Sequence, residues 1–411
     1  MSRPVSRVTV LGLNYPPEPT GISPYTGALS RGLARRGFSV RVLTTHPHYP
    51  EWRVRAGYGQ WSRREQIDGV AVERMRHYVP ARPTGVRRLV SEISFGTRLV
   101  FSRWGQSGAV VAISPALIST TMAAIRARLF HRDRPLVVWV QDLYTLGLAE
   151  TGQGGRLVGR MMGKLEGWLL RRAHHVVVIH ERFADVVSRD FDIPSERVVV
   201  VRNWTHLPPF PDVNVDAARH SFGWGGHRVV LHAGNMGVKQ GLDNVVEAAR
   251  LAAERGDAVR FVLLGDGGER ERLEALGAGI PTLQFMRPLA DEDFAKALAA
   301  ADMLLVNEKP GVAEMAVPSK LTSYFSAGRP VVAATDATGI TAAEIARAEA
   351  GVIAPAGDPA ALLAAVAELA SDPVRAQQLG ENGRRYRMTV LDETNALDAF
   401  ATLLTRLTAD R

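Results

Sequence analysis

Val317-Pro318-Ser319-Lys320-Leu321-Thr322-Ser323-Tyr324-Phe325-Ser326-Ala327-Gly328-Arg329-Pro330-Val331-Val332 stands about three quarters of the way along a chain of 411 residues. A Pro-Ser-Lys turn leads into a short helical pattern with Leu321, Tyr324 and Phe325 on one face; Gly328 stops it and a β-branched strand follows. Turn, helix and strand in that order belong to an α/β domain. The helix start carries a lysine and several free backbone N–H groups. Unpaired donors and the helix dipole favour an anion there, and a phosphate suits best.

Outward from this stretch, strand-like apolar runs alternate with helical patterns in both directions, the signature of parallel sheets with crossover helices. The alternation breaks between Trp204 and Trp224, where Pro208, Pro209 and Pro211 cluster. The expected architecture is α/β, with two doubly wound, Rossmann-like domains facing a cleft. Residues 1–205 form the first, 206–224 a linker, 225–387 the second and 388–411 a closing helix. Ligands are expected at the carboxyl ends of the strands.

The chain has no cysteine, which excludes disulfides and thiolate chemistry. No run approaches a membrane span, and Met1 to Arg7 contains no apolar signal core, so a cytoplasmic protein is expected. Net charge is +8, but residues 1–205 carry +15 and residues 206–411 carry −7. Basic charge is densest from Trp52 to Trp104, where eleven arginines meet four acids and are interleaved with Trp and Tyr. That mixture suits an anionic membrane surface better than a nucleic acid, so peripheral attachment is expected and no nucleic-acid partner. An arginine-rich solvated face is the plainer alternative.

Each half has a strand end stripped of side chains. In the first, Leu11-Gly12-Leu13-Asn14-Tyr15 runs through Thr20-Gly21 into a helix; in the second, Ala233-Gly234-Asn235-Met236-Gly237 is followed by Lys239, and Leu264-Gly265-Asp266-Gly267 ends another strand. None completes Gly-x-Gly-x-x-Gly or a Walker motif, which argues against a nicotinamide enzyme and a P-loop ATPase.

These segments together, with Pro318-Ser319-Lys320 and Gly328-Arg329-Pro330-Val331, resemble the retaining glycosyltransferases of family 4, which have the GT-B fold. Asn14 to Ile22 is similar to the opening of the branch that makes colanic acid and other exopolysaccharides. The likeness covers essentially the whole chain in order. It implies a hexosyltransferase that needs no metal and no cofactor. The second domain would hold a nucleotide diphosphate sugar and the first a lipid-linked saccharide acceptor at the inner membrane face.

The same resemblance distributes the roles. Lys239 and Lys320 would neutralise the diphosphate; Glu314 would accept from sugar hydroxyls and Gln141 would position the sugar. Thr20, Gly21, Gly234, Asn235, Gly265, Gly267, Arg287, Gly311, Val312, Ser319 and Ser323 would line the donor. His46, His48 and Tyr15 are candidates for the acceptor side; for the two histidines, which follow the second strand, ordering of their loop is an equal alternative. Two positions depart from the family pattern: Ser323 stands where an acid binds ribose, and Gln141-Asp142 where His-Asp is usual. A nucleotide-sugar 2-epimerase and a non-catalytic nucleotide-sugar binder are the alternatives on this fold. His174, His175 and His180 read as interior histidines. Asp291-Glu292-Asp293 matches a metal-binding Asp-x-Asp by letter, but heads a helix, where acids complement the dipole.

Overall fold

The computed structural model describes residues 6–19, 21–82, 85–146, 155–204, 213–311 and 320–409. The chain divides into two compact units, Met1–Asn203 together with Glu393–Arg411, and Trp204–Asp392. The first is built on strands β1 (Arg7–Leu11), β2 (Ser39–Thr45), β3 (Ser62–Ile67), β4 (Val70–Met75), β5 (Ala109–Ser114), β6 (Leu136–Val140), β7 (His175–Val178) and β8 (Val198–Val200). Their order is β3-β4-β2-β1-β5-β6-β7-β8, and every pair is parallel except β3 with β4. β5, apolar up to its last residue Ser114, and the Leu-Val-Val-Trp-Val of β6 are buried along their whole length, as central strands covered on both faces must be.

β3 is absent from the sequence reading, because Ser62-Arg63-Arg64-Glu65-Gln66 has no apolar run. It is a charged edge strand whose alternate residues are exposed. The turn that makes it was legible: Asp68 and Gly69 both have positive φ (49° and 82°), as a two-residue hairpin loop requires.

The second unit contains β9 (Arg228–Ala233), β10 (Val259–Leu264), β11 (Leu283–Met286), β12 (Met303–Asn307), β13 (Val331–Thr335) and β14 (Gly351–Pro355), all parallel in the order β11-β10-β9-β12-β13-β14. Apolar clusters fill both faces, one around Trp224, Leu231, Tyr324 and Phe325, the other around Val246, Phe261, Leu305 and Leu363. In both sheets the chain reverses its direction of travel beside the first strand. The crevices therefore open between β1 and β5, and between β9 and β12, and the loops leaving those strands are placed to meet a ligand.

Two boundaries differ from expectation. Residues 213–224 pack into the second unit: Trp224 is fully buried with its indole N–H donating to Gln284 (3.0 Å), and Arg219 pairs with Asp302 at 2.9 Å. The remainder of the expected linker lies outside the described residues. The terminal helix Glu393–Ala409, read as a segment of its own, belongs to the first unit. Leu397 occupies the space left by Gly32, where a Cβ would come within 2.3 Å of it; Phe400 meets Trp139 edge-on at 5.0 Å, and Arg36 binds Asp398 at 2.7 Å.

Helix Leu117–Phe130 has no side-chain cap of its own. Glu92, buried on helix Gly85–Phe101, supplies one by accepting the Ile118 N–H at 2.9 Å. Burial pushes its carboxyl up to about 7, against the opposing pull of that hydrogen bond and of Arg88. The folded protein therefore retains a proton that the unfolded chain has already released above about pH 4.5, and stability falls as pH rises through this window. Glu92→Gln keeps the acceptor without the charge. Thermal unfolding across pH should show it equal to the parent near pH 4 and more stable above pH 7, by on the order of 3 kcal/mol. A difference that does not vary with pH would remove Glu92 as the cause.

Candidate active site

In the second unit, three loops meet at the carboxyl edge of the sheet. After β9 the chain turns at Gly234 (φ 133°) and passes through a single helical turn, Val238–Gln240, to Gly241 (φ 55°). Gln240 folds its amide oxygen back onto the Gly237 N–H at 3.0 Å. Buried Asn307, the last residue of β12, donates to the carbonyls of Gln240 (2.7 Å) and Gly241 (3.0 Å) and accepts from Asn244 (2.8 Å). The Lys309 N–H donates to the Lys239 carbonyl at 2.9 Å. The turn bearing Lys239 is thus clamped to β12 rather than left to swing.

Gly265 and Gly267 owe their residue type to a neighbouring loop. A Cβ on Gly265 would lie 1.9 Å from the Gly234 carbonyl oxygen, and one on Gly267 2.5 Å from that of Met236. The Met236 N–H donates to the Asp266 carbonyl at 2.8 Å, so the loops after β9 and β10 cross with their backbones in contact. Arg270 closes the crossing from beneath, donating to the carbonyls of Gly265 and Met286 and pairing with Glu274 at 2.7 Å. The sequence reading gave Arg270 no role. Gly234 is different: a Cβ there would meet nothing closer than the end of the Lys320 side chain, 3.9 Å away.

Lys320 opens helix Lys320–Ala327, and its Nζ lies 3.4 Å from Nε2 of His232. Burial pushes the ammonium down to about 8, with Glu308 acting in the opposite direction. Glu308 itself accepts from the hydroxyls of Thr335 and Thr341, the latter at 2.7 Å. Among the described residues, Lys320 forms no ion pair with a carboxylate. His232 is fully buried, and burial with Lys320 beside it holds the ring well below its usual value, hence neutral. Tyr324, one turn along, fixes this placement: its hydroxyl accepts the Ala233 N–H at 2.9 Å and lies 3.2 Å from the Leu305 carbonyl. Neither His232 nor Tyr324 was singled out as a functional residue from sequence.

Of the other donor-side residues, Asn235, Arg287 and Gly311 are exposed and Ser323 is half-buried. Thr20, Val312, Glu314 and Ser319 lie outside the described residues. The acids Asp291, Glu292 and Asp293 occupy the first turn of helix Asp291–Ala300, where Glu292 and Asp293 pair with Lys296 at 2.9 and 3.0 Å.

In the first unit, the acceptor-side side chains are turned inward. Tyr15 is 3% exposed, against Arg74, and burial pushes its hydroxyl up to about 12. His46 meets the Gln60 carbonyl at 2.8 Å, and burial lowers its pKa. His48 packs on His77 and lies 3.3 Å from Glu18. These three therefore build the wall rather than the surface of the β1–β2 region. Its keystone is Glu18, a buried carboxylate missed from sequence. It accepts from the N–H groups of His48 (2.8 Å) and Tyr49 (3.0 Å) and from Asn14 (2.9 Å). That ties the loop after β1 to the loop after β2. Gly21 (φ 68°) is exposed at the loop's end. Gln141, at the end of β6, accepts from Asn203 at 2.8 Å, and its Nε2 has no partner among the described residues. His180 caps helix Glu181–Phe191 by accepting the Phe183 N–H, and burial lowers it to about 3; His174, expected inside, is exposed.

Known proteins share this organisation. The model of the glycosyl transferase 4-like domain matches residues 20–204, and that of glycosyl transferases group 1 matches residues 227–372. The chain is 32% identical over 349 residues to the putative colanic acid biosynthesis glycosyl transferase WcaI of Escherichia coli, covering 80% of this chain and 84% of that one. It is 27% identical to the probable glycosyltransferase WbjE of Pseudomonas aeruginosa over 69% of this chain and 71% of the relative. Among solved structures, Anabaena Alr3699/HepE in complex with UDP superposes with a TM-score of 0.72 at 15% identity, covering 97% of this chain and all of that one. The chain belongs to the group 1 glycosyltransferases, with a 4-like first domain and the two-domain GT-B fold.

Proposed function

We propose that this glycosyltransferase moves a hexosyl group, with retention, from a nucleotide diphosphate sugar to a lipid-linked saccharide, at the inner face of a membrane where exopolysaccharide is assembled. The observation that carries the donor half is Lys320. A half-buried ammonium beside a neutral histidine, reached through side-chain-free Gly234, is a cation held ready for an anion. A diphosphate offers that charge, with Lys239 on the clamped turn as the second cation. The UDP bound by the Anabaena protein supports the same chemistry.

In the reaction, the bond between the sugar's anomeric carbon and the diphosphate oxygen breaks. A new bond forms to the acceptor hydroxyl on the same face, and the hydroxyl proton passes to the departing phosphate. Lys239 and Lys320 stabilise the charge that accumulates on the leaving group, which is where fixed cations lower the barrier most. Glu314 would hold sugar hydroxyls, and Gln141, with its unpartnered Nε2, would position a hydroxyl from the first unit. Ser323 replaces a charged ribose contact with a neutral one, which is weaker.

The membrane half rests on helix Gly85–Phe101. Val86, Val90, Ile93 and Phe101 are 75%, 45%, 41% and 84% exposed, and Arg87 and Arg88 stand among them. Trp61 is 70% exposed with Arg98 over its ring at 3.9 Å, although Trp104 of the same basic stretch is buried. Apolar side chains flanked by arginines fit an anionic bilayer surface. No described helix is long and apolar enough to cross a membrane.

Lys239→Ala and Lys320→Ala should each weaken UDP or GDP binding, measured by calorimetry, by about 2 kcal/mol. Unchanged affinity in both would take these residues out of the site. Incubating donor without acceptor should return the sugar unaltered, whereas its isomer would indicate epimerisation. Transfer should persist in EDTA, since Lys239 and Lys320 would neutralise the diphosphate in place of a metal; loss restored by manganese would contradict this. The protein should sediment with phosphatidylglycerol vesicles at low salt, not with phosphatidylcholine vesicles, and be released by high salt, because attraction is screened within about 8 Å at physiological ionic strength. Indifference to anionic vesicles would end the membrane assignment and leave the transferase standing.

A further inference from the structure

The crevice between β1 and β5 ends in a small pocket of about 60 Å³, formed by the loops that leave those strands and by helix Gly85–Phe101. Ile113, Pro115 and Ala116 give it apolar walls, and Asn14, Arg88 and Glu92 are its polar members. Asn14 already donates its amide to Glu18 at 2.9 Å. Glu92 is only half engaged. Its Oε2 accepts the Ile118 N–H, while Oε1 has no partner among the described residues and stays open to the pocket.

Capping alone does not call for a carboxylate here. A glutamine would accept the same N–H with no charge to bury, whereas the buried carboxylate lowers the stability of the fold at neutral pH. A titratable group kept at such a cost, in the crevice where doubly wound domains take their ligands, marks a binding position. The side chains expected at the acceptor do not fill that role, because His46, His48 and Tyr15 are buried.

The pocket's chemistry narrows what it takes. Its volume is too small for a sugar ring and suits one hydroxyl with the carbon that carries it. Arg88, exposed and one helical turn away, is near enough to oppose the effect of burial on the Glu92 carboxyl. Tyr144, after β6, senses both: burial raises its hydroxyl first, Glu92 adds to the rise and Arg88 opposes it. A ligand ammonium would therefore meet Arg88, and an anion would meet the Glu92 carboxylate. A neutral hydroxyl meets neither objection, since it can donate to the carboxylate and accept from the guanidinium with its carbon against Ile113 and Pro115. We propose that Glu92 is a specificity-determining residue for the acceptor, its Oε1 taking one hydroxyl of the saccharide at the floor of this pocket, with Arg88 at the mouth. The assignment rests on the transferase reading above and adds to it a polar contact on the acceptor side.

The test uses Glu92→Gln, which keeps the cap but turns an amide N–H₂ toward the pocket in place of a carboxylate oxygen. Methyl α-glucoside, methyl α-galactoside and methyl α-mannoside serve as probes with the full chain, their binding followed by saturation-transfer NMR. At least one should bind the parent, with an affinity that rises as pH passes upward through about 7 and the carboxyl ionises. At pH 8 the variant should bind it about tenfold more weakly, as loss of a charge-assisted hydrogen bond does. At pH 6, where the parent's protonated carboxyl resembles the amide, the two should differ less than about threefold. A loss of equal size at both pH values would make Glu92 a structural residue and overturn the proposal, as would failure of all three glycosides to bind the parent. UDP and GDP titrations on the same samples separate this outcome from that of the transferase reading. Glycosides bound through Glu92 by a chain that takes neither nucleotide would keep the saccharide subsite and remove the transferase; nucleotide binding without glycoside binding would do the reverse.

Discussion

The second unit is organised around the gap between β9 and β12. Parallel strands that part at a topological switch leave backbone groups facing each other across a crevice, and buried groups of this kind must find partners. The Tyr324 hydroxyl answers both sides at once, accepting from Ala233 and reaching the Leu305 carbonyl. Since Tyr324 lies one turn beyond Lys320, the bond that closes the crevice also determines where the lysine's ammonium comes to rest. Asn307 does the equivalent for Lys239, holding its turn by two backbone carbonyls. Neutral, buried side chains thus set the backbone from which each of the two cations projects.

That arrangement stores a cost in the free protein. An ammonium taken partly out of water, beside a ring that burial keeps neutral, gives up hydration that no carboxylate contact among the described residues returns. Bound phosphate would restore the missing charge, so part of the donor's affinity comes from relieving what the empty arrangement forfeits. The same logic separates Gly234 from Gly265 and Gly267. One leaves a way in, while the other two let a pair of loops cross at backbone distance.

Much of the fold was legible because its signal is periodic. Apolar runs alternating with amphipathic stretches named the parallel strands on either side of the Pro208–Pro211 cluster. β3 escaped because a charged edge strand carries no such run, and the Asp68-Gly69 pair, a hairpin dipeptide, is the local signal that marks it. The glycines and lysines of the donor side were readable as residue types suited to phosphate. Their supports were not: Tyr324, Asn307, Arg270 and Glu18 act through partners far away in sequence, and nothing local distinguishes them from ordinary polar or aromatic residues. His46, His48 and Tyr15 show why side-chain direction is not legible locally, since a histidine or tyrosine after a strand reads alike whether it faces a ligand or a neighbouring loop; here all three are buried.

The terminal helix Glu393–Ala409 makes the second unit, topologically, an insertion within the first. Its Phe400 packs on Trp139 of β6 and its Leu397 on Gly32, so part of the first unit's interior is covered by residues synthesised after the whole of Trp204–Asp392. On the ribosome the first unit must wait, with that face uncovered, while the second emerges and folds. Two covalent crossings, near Asn203 and near Asp392, also tether the units to each other twice. A nick in either crossing would still leave the pair joined through the other.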